Sequence, residues 1–198
     1  MKLKGLNYLV VGDVTGFAKT LKALHAQLPT APLIGLGDLI DRGPRSKEVL
    51  DYFIDNGFTS VMGNHDHTML YQKMRSEENV NPMLYTWDQW QKNGGDQTAQ
   101  SFGFPTGTLT FNHKAVDQKY WDFLRSMPLR IEVGEKFVLT HGPVSNRHAK
   151  DEDFTLEGVN RSWISLLNSC LWNRRNPHPL DGKVQLYGHN SGKDVRWH

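Results

Sequence analysis

The sequence predicts an α/β fold in which β-sheets are flanked by helices. The first third of the chain alternates short apolar strands with amphipathic helices, which is typical of βαβ units with parallel pairing. The stretch LRIEVGEKFVLTHG at 129–142 predicts a tight antiparallel hairpin that turns at Gly134, so the sheets are expected to be mixed. A length of 198 residues with 38% hydrophobic content fits one domain, and we expect a single domain over 1–198.

The elements of the first third follow from apolar runs bounded by glycine, asparagine and proline. Phe17, Leu21, Leu24 and Leu28 recur at helical spacing, and Pro29 follows the last of them. The same reasoning predicts strands over 7–11, 33–37 and 58–62 and helices over 16–28 and 46–55.

The middle of the chain changes character, because residues 68–127 are rich in Met, Trp, Gln and Asn. This region is predicted to be a helical insertion on the sheet, with helices over 67–76, 84–92 and 116–126. Its aromatic side chains are expected mainly to pack. A last strand is predicted over 183–189.

Composition restricts the classes of function and the cellular compartment. The formal net charge is +2 with no cluster of Lys or Arg, which argues against a nucleic-acid partner. No apolar run approaches the roughly 20 residues needed to cross a bilayer, so no membrane partner is expected. The one cysteine, Cys170, lies in the apolar stretch LLNSCLW and is expected to pack in the core. A single cysteine favours a reducing compartment, and the chain is predicted to be cytoplasmic.

Residues able to bind metal or move protons follow five predicted strands. In chain order they are Asp13 in GDVTG, Asp38, Asp41 and Arg42 in GDLIDRG, Asn64, His65 and Asp66 in GNHDH, His141 in THG, and His189 in GHN. A single Gly-Asp is usually a turn and a single His at a strand end is usually structural. Because loops at the carboxyl ends of strands converge on one crevice, five coincidences predict a shared site. Asp, Asn and His together suit Mn, Fe or Zn, and two ions about 3.5–4 Å apart can clamp a phosphoryl group and activate water.

These motifs resemble the calcineurin-like metallophosphoesterases, and within them the phosphoprotein phosphatase branch with its bacterial and phage lambda-type serine/threonine phosphatases. The stretches that carry the resemblance are GDLIDRG (37–43), GNHD (63–66), HG (141–142), LWNR (171–174) and YGH (187–189). WQKNGGDQT (90–98) also resembles a Trp-x-x-Asn-Gly-Gly segment of the smaller enzymes. The resemblance implies a four-layer sandwich of mixed sheets flanked by helices.

The resemblance also implies roles for individual residues. Two divalent ions, most often Mn with Fe, Zn or Ni as alternatives, would be bridged by Asp38. Asp13 would bind the first ion, and the second would take Asn64, His141 and His189.

The same resemblance implies the catalytic residues. His65, oriented by Asp41, would be the general acid, and Arg42 and Arg174 would bind the phosphate oxygens. Arg175 is an alternative to Arg174.

One position departs from the family pattern. The family has a histidine ligand two residues after the first aspartate, where this chain has Thr15. A hydroxyl is a poor ligand for a divalent ion compared with an imidazole. Thr15 could support a water in a weaker first site, the protein could run on one tightly bound ion, or it could bind phosphoesters without efficient turnover.

The predicted function is metal-dependent hydrolysis of phosphomonoesters, with phosphoserine or phosphothreonine proteins or small phosphoesters as partners. The alternatives are symmetrical hydrolysis of dinucleoside tetraphosphates and non-catalytic binding of phosphoesters. Family members usually continue with two more strands after the last histidine, so the resemblance implies that C-terminal strands are missing from this chain.

Overall fold

The computed structural model describes residues 1–4, 7–78, 80, 85–107, 110–144, 155–160, 164–165, 169–180 and 182–192. Its strands in this part of the chain are β1 (Lys2–Leu3), β2 (Leu9–Val11), β3 (Leu33–Gly35), β4 (Thr59–Ser60), β5 (Arg130–Val133), β6 (Phe137–Thr140) and β7 (Val184–Tyr187). Its α-helices are α1 (Ala18–His25), α2 (Ser46–Asp55), α3 (Asn64–Glu77), α4 (Trp87–Trp90), α5 (Asp96–Ser101), α6 (Gln118–Ser126) and α7 (Leu156–Asn160). A π turn at Gln91–Gly95, kinked at Gly94 where the backbone is not helical, joins α4 to α5, and a 3₁₀ turn lies at His113–Ala115.

The strands form two sheets of different kinds. Strands β2, β3 and β4 lie side by side in an all-parallel sheet, as expected when helices connect consecutive strands. The other sheet has the order β1-β5-β6-β7 and is mixed, because β5 and β6 form an antiparallel hairpin while β1 and β7 pair parallel to their neighbours. The predicted α/β fold with mixed sheets, flanking helices and a hairpin turning at Gly134 is confirmed.

Two apolar clusters hold these layers together. The smaller cluster contains buried residues from both sheets and is the interior of the sandwich; it comprises Ile34, Leu36, Val61, Ile131, Val133 and Leu139. The larger cluster packs the helices and the insertion around the parallel sheet, and Cys170 is buried in it as predicted. In the described residues no helix is both long and apolar enough to cross a membrane.

The first helix is shorter than the predicted span of 16–28. The helix begins at Ala18 and ends at His25, and the side chains that it buries are Ala18, Leu21 and His25. Phe17, Leu24 and Leu28 are exposed. Phe17 precedes the first turn and Leu28 follows the last, so the apolar spacing that predicted the helix extended beyond it at both ends.

The insertion and the N-terminus also differ in detail from the prediction. Helix α3 begins at Asn64, so the GNHD motif itself starts the helix, and the segment predicted as one helix over 84–92 continues through the π turn into α5. Strand β1 was not predicted, because two residues carry no period that a pattern could reveal.

Asp51 on α2 anchors the insertion helix α6 to the sheet layer. One carboxylate oxygen accepts hydrogen bonds from Lys119 Nζ at 2.8 Å and Tyr120 Oη at 2.7 Å, and the other accepts from Lys47 Nζ at 2.8 Å. Burial alone would raise the pKa of Asp51, but the hydrogen bonds from Lys119, Lys47 and Tyr120 outweigh it and lower the pKa to about 2.

We therefore expect Asp51→Asn to destabilise the protein above pH 4 by about 1 kcal/mol, reduced from the full linkage value because the carboxylate is partly solvated. A lowered folded-state pKa stabilises above the unfolded-state pKa of 3.8, and this stability is lost as the pH falls toward the folded-state value of about 2. Urea unfolding of parent and variant between pH 7 and pH 3 measures the difference. Asp55→Asn, at an exposed position of the same helix, is the control. If the difference in free energy of unfolding between the parent and Asp51→Asn stays the same below pH 4, the Asp51 carboxylate does not stabilise the protein in this way.

Candidate metal centre

Every predicted metal ligand lies where a strand ends or a helix begins. Asp13 and His189 come two residues after β2 and β7, and Asp38 comes three residues after β3. His141 follows β6 directly, and Asn64 is the first residue of α3, after β4. The parallel pairing of these strands places their carboxyl ends on one edge, so the residues converge as the sequence predicts.

The backbone at this edge is strained. Seven non-glycine residues of the described chain have a φ angle in the left-handed region. Five of these are predicted site residues, and a sixth is Thr15. They are Asp13, Thr15, Asp38, Asp41, Arg42 and His189. Such conformations are costly for residues with a Cβ atom and persist where the surrounding structure enforces them, which is common at functional sites.

The four predicted ligands of the second metal ion face one another in a buried cluster. His141 Nε2 lies 2.9 Å from Asn64 Oδ1, 3.0 Å from His189 Nδ1 and 3.4 Å from Asp38 Oδ2. Donor atoms of Asp38, His141 and His189 all lie within 4.8 Å of one another. The exposed fraction is 7% or less for all four residues.

The donor set fits a divalent cation. His141 Nδ1 lies 2.7 Å from the carbonyl oxygen of Leu36, so the ring proton belongs on Nδ1 and the lone pair of Nε2 faces the cluster. Two oxygen acceptors and two imidazole nitrogens then converge, and either a proton on an imidazole nitrogen or a cation must relieve the repulsion among them. His189 Nε2 is buried without a hydrogen-bond partner among the described residues. A cation bound between these atoms would remove the conflict, and mixed oxygen and nitrogen ligands suit Mn, Fe or Zn.

The pKa values of the two histidines move in opposite directions. Burial lowers the pKa of His141, but the negative charge of Asp38 outweighs it and raises the pKa to about 9. Burial and the positive charges of His141 and Arg174 lower the pKa of His189 to about 3. Burial raises the pKa of Asp38, yet His141 reverses this and leaves it below its usual range. The cluster therefore accommodates one positive charge and resists a second proton.

Asp13 lies at the border of this cluster. Its Oδ2 atom accepts a hydrogen bond from the backbone N–H of His189 at 3.1 Å. Burial raises the pKa of Asp13, and the charge of His141 opposes that effect. Thr15 is buried, but its hydroxyl donates to the carbonyl oxygen of Asp13 at 3.3 Å. The structure thus gives Thr15 a local turn contact.

The predicted acid pair is fully formed. His65 Nδ1 lies 2.6 Å from Asp41 Oδ2, and both side chains are buried. Burial lowers the pKa of His65, but the hydrogen bond to Asp41 and the charges of Asp38 and Asp41 together raise it. On the other side of the ring, Arg42 Nη2 lies 3.0 Å from His65 Nε2. His65 Nε2 is also 3.9 Å from Asp38 Oδ2, so the pair borders the metal-ligand cluster.

The second predicted arginine lies at the opposite side of the cluster. Arg174 Nη1 donates to the carbonyl oxygen of His189 at 3.0 Å. The preceding residue, Asn173, is buried and donates to the carbonyl oxygen of Pro143, which fixes this loop beside the one that carries His141. Arg174 and Arg175 are both exposed, and the side chain of Arg174 contacts His189 and Asn190 at the site.

Three residues support the site: Asp66, which the sequence offered as a candidate, and Trp90 and Thr98, whose contacts with the site the sequence reasoning missed. Asp66 accepts hydrogen bonds from the backbone N–H groups of Gly63 and Leu39 and ties the start of α3 to the loop after β3. Burial and the nearby charge of Asp38 raise its pKa to about 7. Trp90 and Thr98 both donate to Asp41. The signal that could have pointed to Trp90 and Thr98 was the stretch WQKNGGDQT, because they are its first and last residues.

An open pocket of about 530 Å³ lies beside Arg42. Arg42, which contacts His65, is one of its walls. The remaining lining is polar and comes from the π turn and the start of α5: Gln91, Lys92, Asn93, Gly94, Asp96 and Gln97.

The described residues thus form a buried Asp/Asn/His cluster on the carboxyl edge of a two-sheet sandwich, next to the Asp41–His65 pair and two exposed arginines. The chain belongs to the family of calcineurin-like phosphoesterases, whose family model matches residues 6–190.

Its relatives carry two kinds of name. The chain is 37% identical over 91 residues to serine/threonine-protein phosphatase 2 of Escherichia coli (strain K12), covering 44% of this chain and 38% of that protein. It is 30% identical over 153 residues to a symmetrical bis(5′-nucleosyl)-tetraphosphatase of Shewanella sp. (strain MR-4), covering 71% and 46%. The matched stretches therefore span less than half of either relative. A cold-active protein-tyrosine phosphatase of a psychrophilic Shewanella shares the fold, with a TM-score of 0.54 at 20% identity over 87% of this chain and 58% of that chain.

Glycine 188 offers a test of Asp13 as a metal ligand. A Cβ atom at Gly188 would lie 2.2 Å from Asp13 Oδ2, so Gly188→Ala must rotate that carboxylate away. We expect Mn²⁺ affinity to fall about tenfold or more, as for other changes that misorient a ligand. Isothermal titration calorimetry with Mn²⁺ measures this.

Gly12→Ala is the matched control for this experiment. Its Cβ atom would come no closer than 3.6 Å to any neighbour, although it is adjacent to Asp13. Equal affinities for the two variants would show that the orientation of Asp13 does not matter for metal binding.

Proposed function

We propose that the chain hydrolyses phosphomonoesters with divalent metal ions, with serine/threonine phosphoproteins as the substrate class and Mn²⁺ as the metal. The observation that carries the proposal is the contact between two sets of groups. The converging donor atoms of Asp38, Asn64, His141 and His189 adjoin the Asp41–His65 pair, and His65 Nε2 lies 3.9 Å from Asp38 Oδ2.

Each residue has a task that its position supports. Divalent ions at the cluster would supply Lewis-acid chemistry to the phosphoryl group and its attacking water. Asp38 Oδ1 accepts from the backbone N–H of His65, and Oδ2 is the oxygen on the side of His141. Asp13 and the four converging ligands would hold the ions.

His65 protonates the leaving group in this mechanism. Asp41 binds Nδ1, and the raised pKa of His65 favours the protonated ring. Nε2 contacts the donor Arg42 Nη2 in this structure, so the ring takes up its second proton when the Arg42 guanidinium turns to the phosphate. Arg42 and Arg174 lie on two sides of the cluster and are exposed, so their guanidinium groups can bind the outer phosphate oxygens. The polar pocket beside Arg42 offers room for the part of the substrate attached to the leaving oxygen.

Symmetrical hydrolysis of dinucleoside tetraphosphates is the second candidate. It is supported by the relative of that name, which aligns with 71% of this chain. The motif GDLIDRG is intact here, whereas the tetraphosphatases commonly depart from Asp-Arg-Gly, and this favours the phosphatase. A phosphoester-binding protein without efficient turnover is the third candidate and rests on Thr15.

The first experiment is hydrolysis of p-nitrophenyl phosphate across a Mn²⁺ titration, run beside Thr15→His. Thr15 is a β-branched residue with a φ angle of 43°, and histidine tolerates the left-handed region better than β-branched residues do. We therefore expect Thr15→His to keep the melting temperature of the parent. We expect turnover in the parent and a gain in the variant, which adds an imidazole near Asp13.

The size of the gain decides between the alternatives. A gain of about 10²-fold or more, roughly 3 kcal/mol of barrier, identifies the missing imidazole as what limits the parent. A parent that turns over well, with little gain in the variant, means that Thr15 belongs to a working site. No turnover in either protein at saturating Mn²⁺ contradicts the enzyme proposal.

Substrate class is tested by competition between two substrates. We expect a phosphoserine peptide to be hydrolysed with the higher kcat/KM, and diadenosine tetraphosphate with the lower. Phosphate release and nucleotide chromatography measure the two reactions. The reverse order would replace the phosphatase by the tetraphosphatase.

A further inference from the structure

The segment Trp90–Thr98 wraps around Asp41, the partner of the histidine acid. Trp90 Nε1 donates to Asp41 Oδ2 at 2.8 Å, the same oxygen that His65 Nδ1 contacts at 2.6 Å. Thr98 Oγ1 donates to the other oxygen, Oδ1, at 2.6 Å. Asp41 and Thr98 are fully buried, and Trp90 is 1% exposed. Both carboxylate oxygens are thus held from opposite sides by one segment.

Thr98 also holds the backbone of Asp41. The N–H of Asp41 donates to Thr98 Oγ1 at 2.9 Å and to Ser46 Oγ at 3.1 Å. Asp41 has a φ angle of 72°, a conformation that needs such support in a residue with a Cβ atom. One hydroxyl therefore fixes both the main chain and the carboxylate of Asp41.

The glycines in the middle of Trp90–Thr98 let this segment approach the backbone of Arg42. The carbonyl of Gly94 accepts from the N–H of Arg42 at 3.1 Å. Gly94 has a φ angle of 100°, and a Cβ atom there would lie 2.8 Å from the backbone nitrogen of Arg42. A Cβ atom at Gly95 would lie 2.5 Å from the ring of Trp90. The π turn between α4 and α5 is therefore a local unwinding that lets this segment close onto residues 41 and 42.

We propose that Trp90 and Thr98 are positioning residues that hold the Asp41 carboxylate so that His65 can protonate poor leaving groups. This inference rests on the proposed function, because it assigns a role within the same reaction. A buried carboxylate bound at only one oxygen can rotate, and the imidazole that it orients would rotate with it. A good leaving group such as p-nitrophenoxide departs without a proton, whereas an alkoxide or an unsubstituted phenoxide needs one.

Packing is the competing role for both side chains. Trp90 contacts Trp87 and Phe111 edge to face, and Thr98 is buried beside Ser46. The variants must therefore keep the volume and remove only the donor. Thr98→Val keeps the volume and removes the hydroxyl, with its bond to the carboxylate and its bond from the Asp41 N–H. Thr98→Ser returns the hydroxyl. Trp90→Phe removes the indole N–H and also part of the buried ring system, so its loss of packing must be judged from the ratio of the two activities.

The test compares p-nitrophenyl phosphate with phenyl phosphate, which has the poorer leaving group. For Thr98→Val and Trp90→Phe we expect kcat to fall at least tenfold more with phenyl phosphate than with p-nitrophenyl phosphate, and we expect Thr98→Ser to restore the parent ratio. Loss of packing would lower both activities together and leave the ratio unchanged. A parallel fall in both variants therefore overturns the proposal.

A double-variant cycle separates an action through His65 from a direct effect. In a His65→Asn background the acid is gone, so adding Thr98→Val should not change the ratio further. A further change of tenfold would mean that Thr98 acts on the reaction by another route and would overturn the proposal.

A spectroscopic measurement keeps the inference testable if the parent turns over neither substrate, the result that contradicts the proposed function. In proton NMR spectra of the parent, the proton on His65 Nδ1 should give a sharp hydrogen-bonded resonance. This resonance is assigned by its absence in His65→Asn. We expect it to shift or broaden in Thr98→Val and Trp90→Phe and to return in Thr98→Ser. An unchanged resonance in both variants overturns the positioning role whatever the turnover.

Discussion

The burial of the Asp38 carboxylate is the constraint on which the rest of the site depends. An isolated buried carboxylate is strongly unfavourable, so its partners must be fixed before the chain can place it there. The helix start supplies the N–H of His65, and strand β6 supplies His141. The ring of His141 is itself held at its other nitrogen by the carbonyl of Leu36, two residues before Asp38. Both ring nitrogens of His141 thus contact the loop that follows β3, Nδ1 at Leu36 and Nε2 at Asp38. Because His141 belongs to the other sheet, the two sheets must stack in one register for these contacts to form.

Close backbone contacts make this geometry possible and explain the strain. A Cβ atom at Gly63 would lie 2.1 Å from the backbone nitrogen of Asp38, so only glycine lets the start of α3 approach the loop after β3. Asp38, Asp41 and Arg42 then take left-handed conformations within five residues of one another. The apolar interior between the two sheets provides the stability that holds these residues in place, which is why the strained loops all leave from its edge.

The sequence predicted the metal-ligand cluster because its ligands are tied to strand ends, and strand ends are visible as apolar runs that stop at a polar residue. Asp38 and His141 could be placed in this way without any knowledge of contacts. The buried face of α1 could not be predicted from the sequence, since Phe17 and Leu28 fit the helical period but lie outside the helix. The same limit hid Trp90 and Thr98, whose bonds to Asp41 span 49 and 57 residues. Spacing along a chain gives no measure of such contacts, and an aromatic or a threonine in a helical insertion is usually a packing residue.

The site is built in two parts that have separate origins in the chain. The metal-ligand cluster comes from the ends of strands, whereas the acid pair is held by the insertion through Trp90 and Thr98. Thr15 lies in the first part, at the end of β2, and its hydroxyl is bonded to the carbonyl of Asp13. A substitution at position 15 therefore leaves the side chains that support the Asp41–His65 pair in place. The two parts can therefore vary separately, because Trp90 and Thr98, which hold Asp41, lie on α4 and α5 rather than at the strand ends.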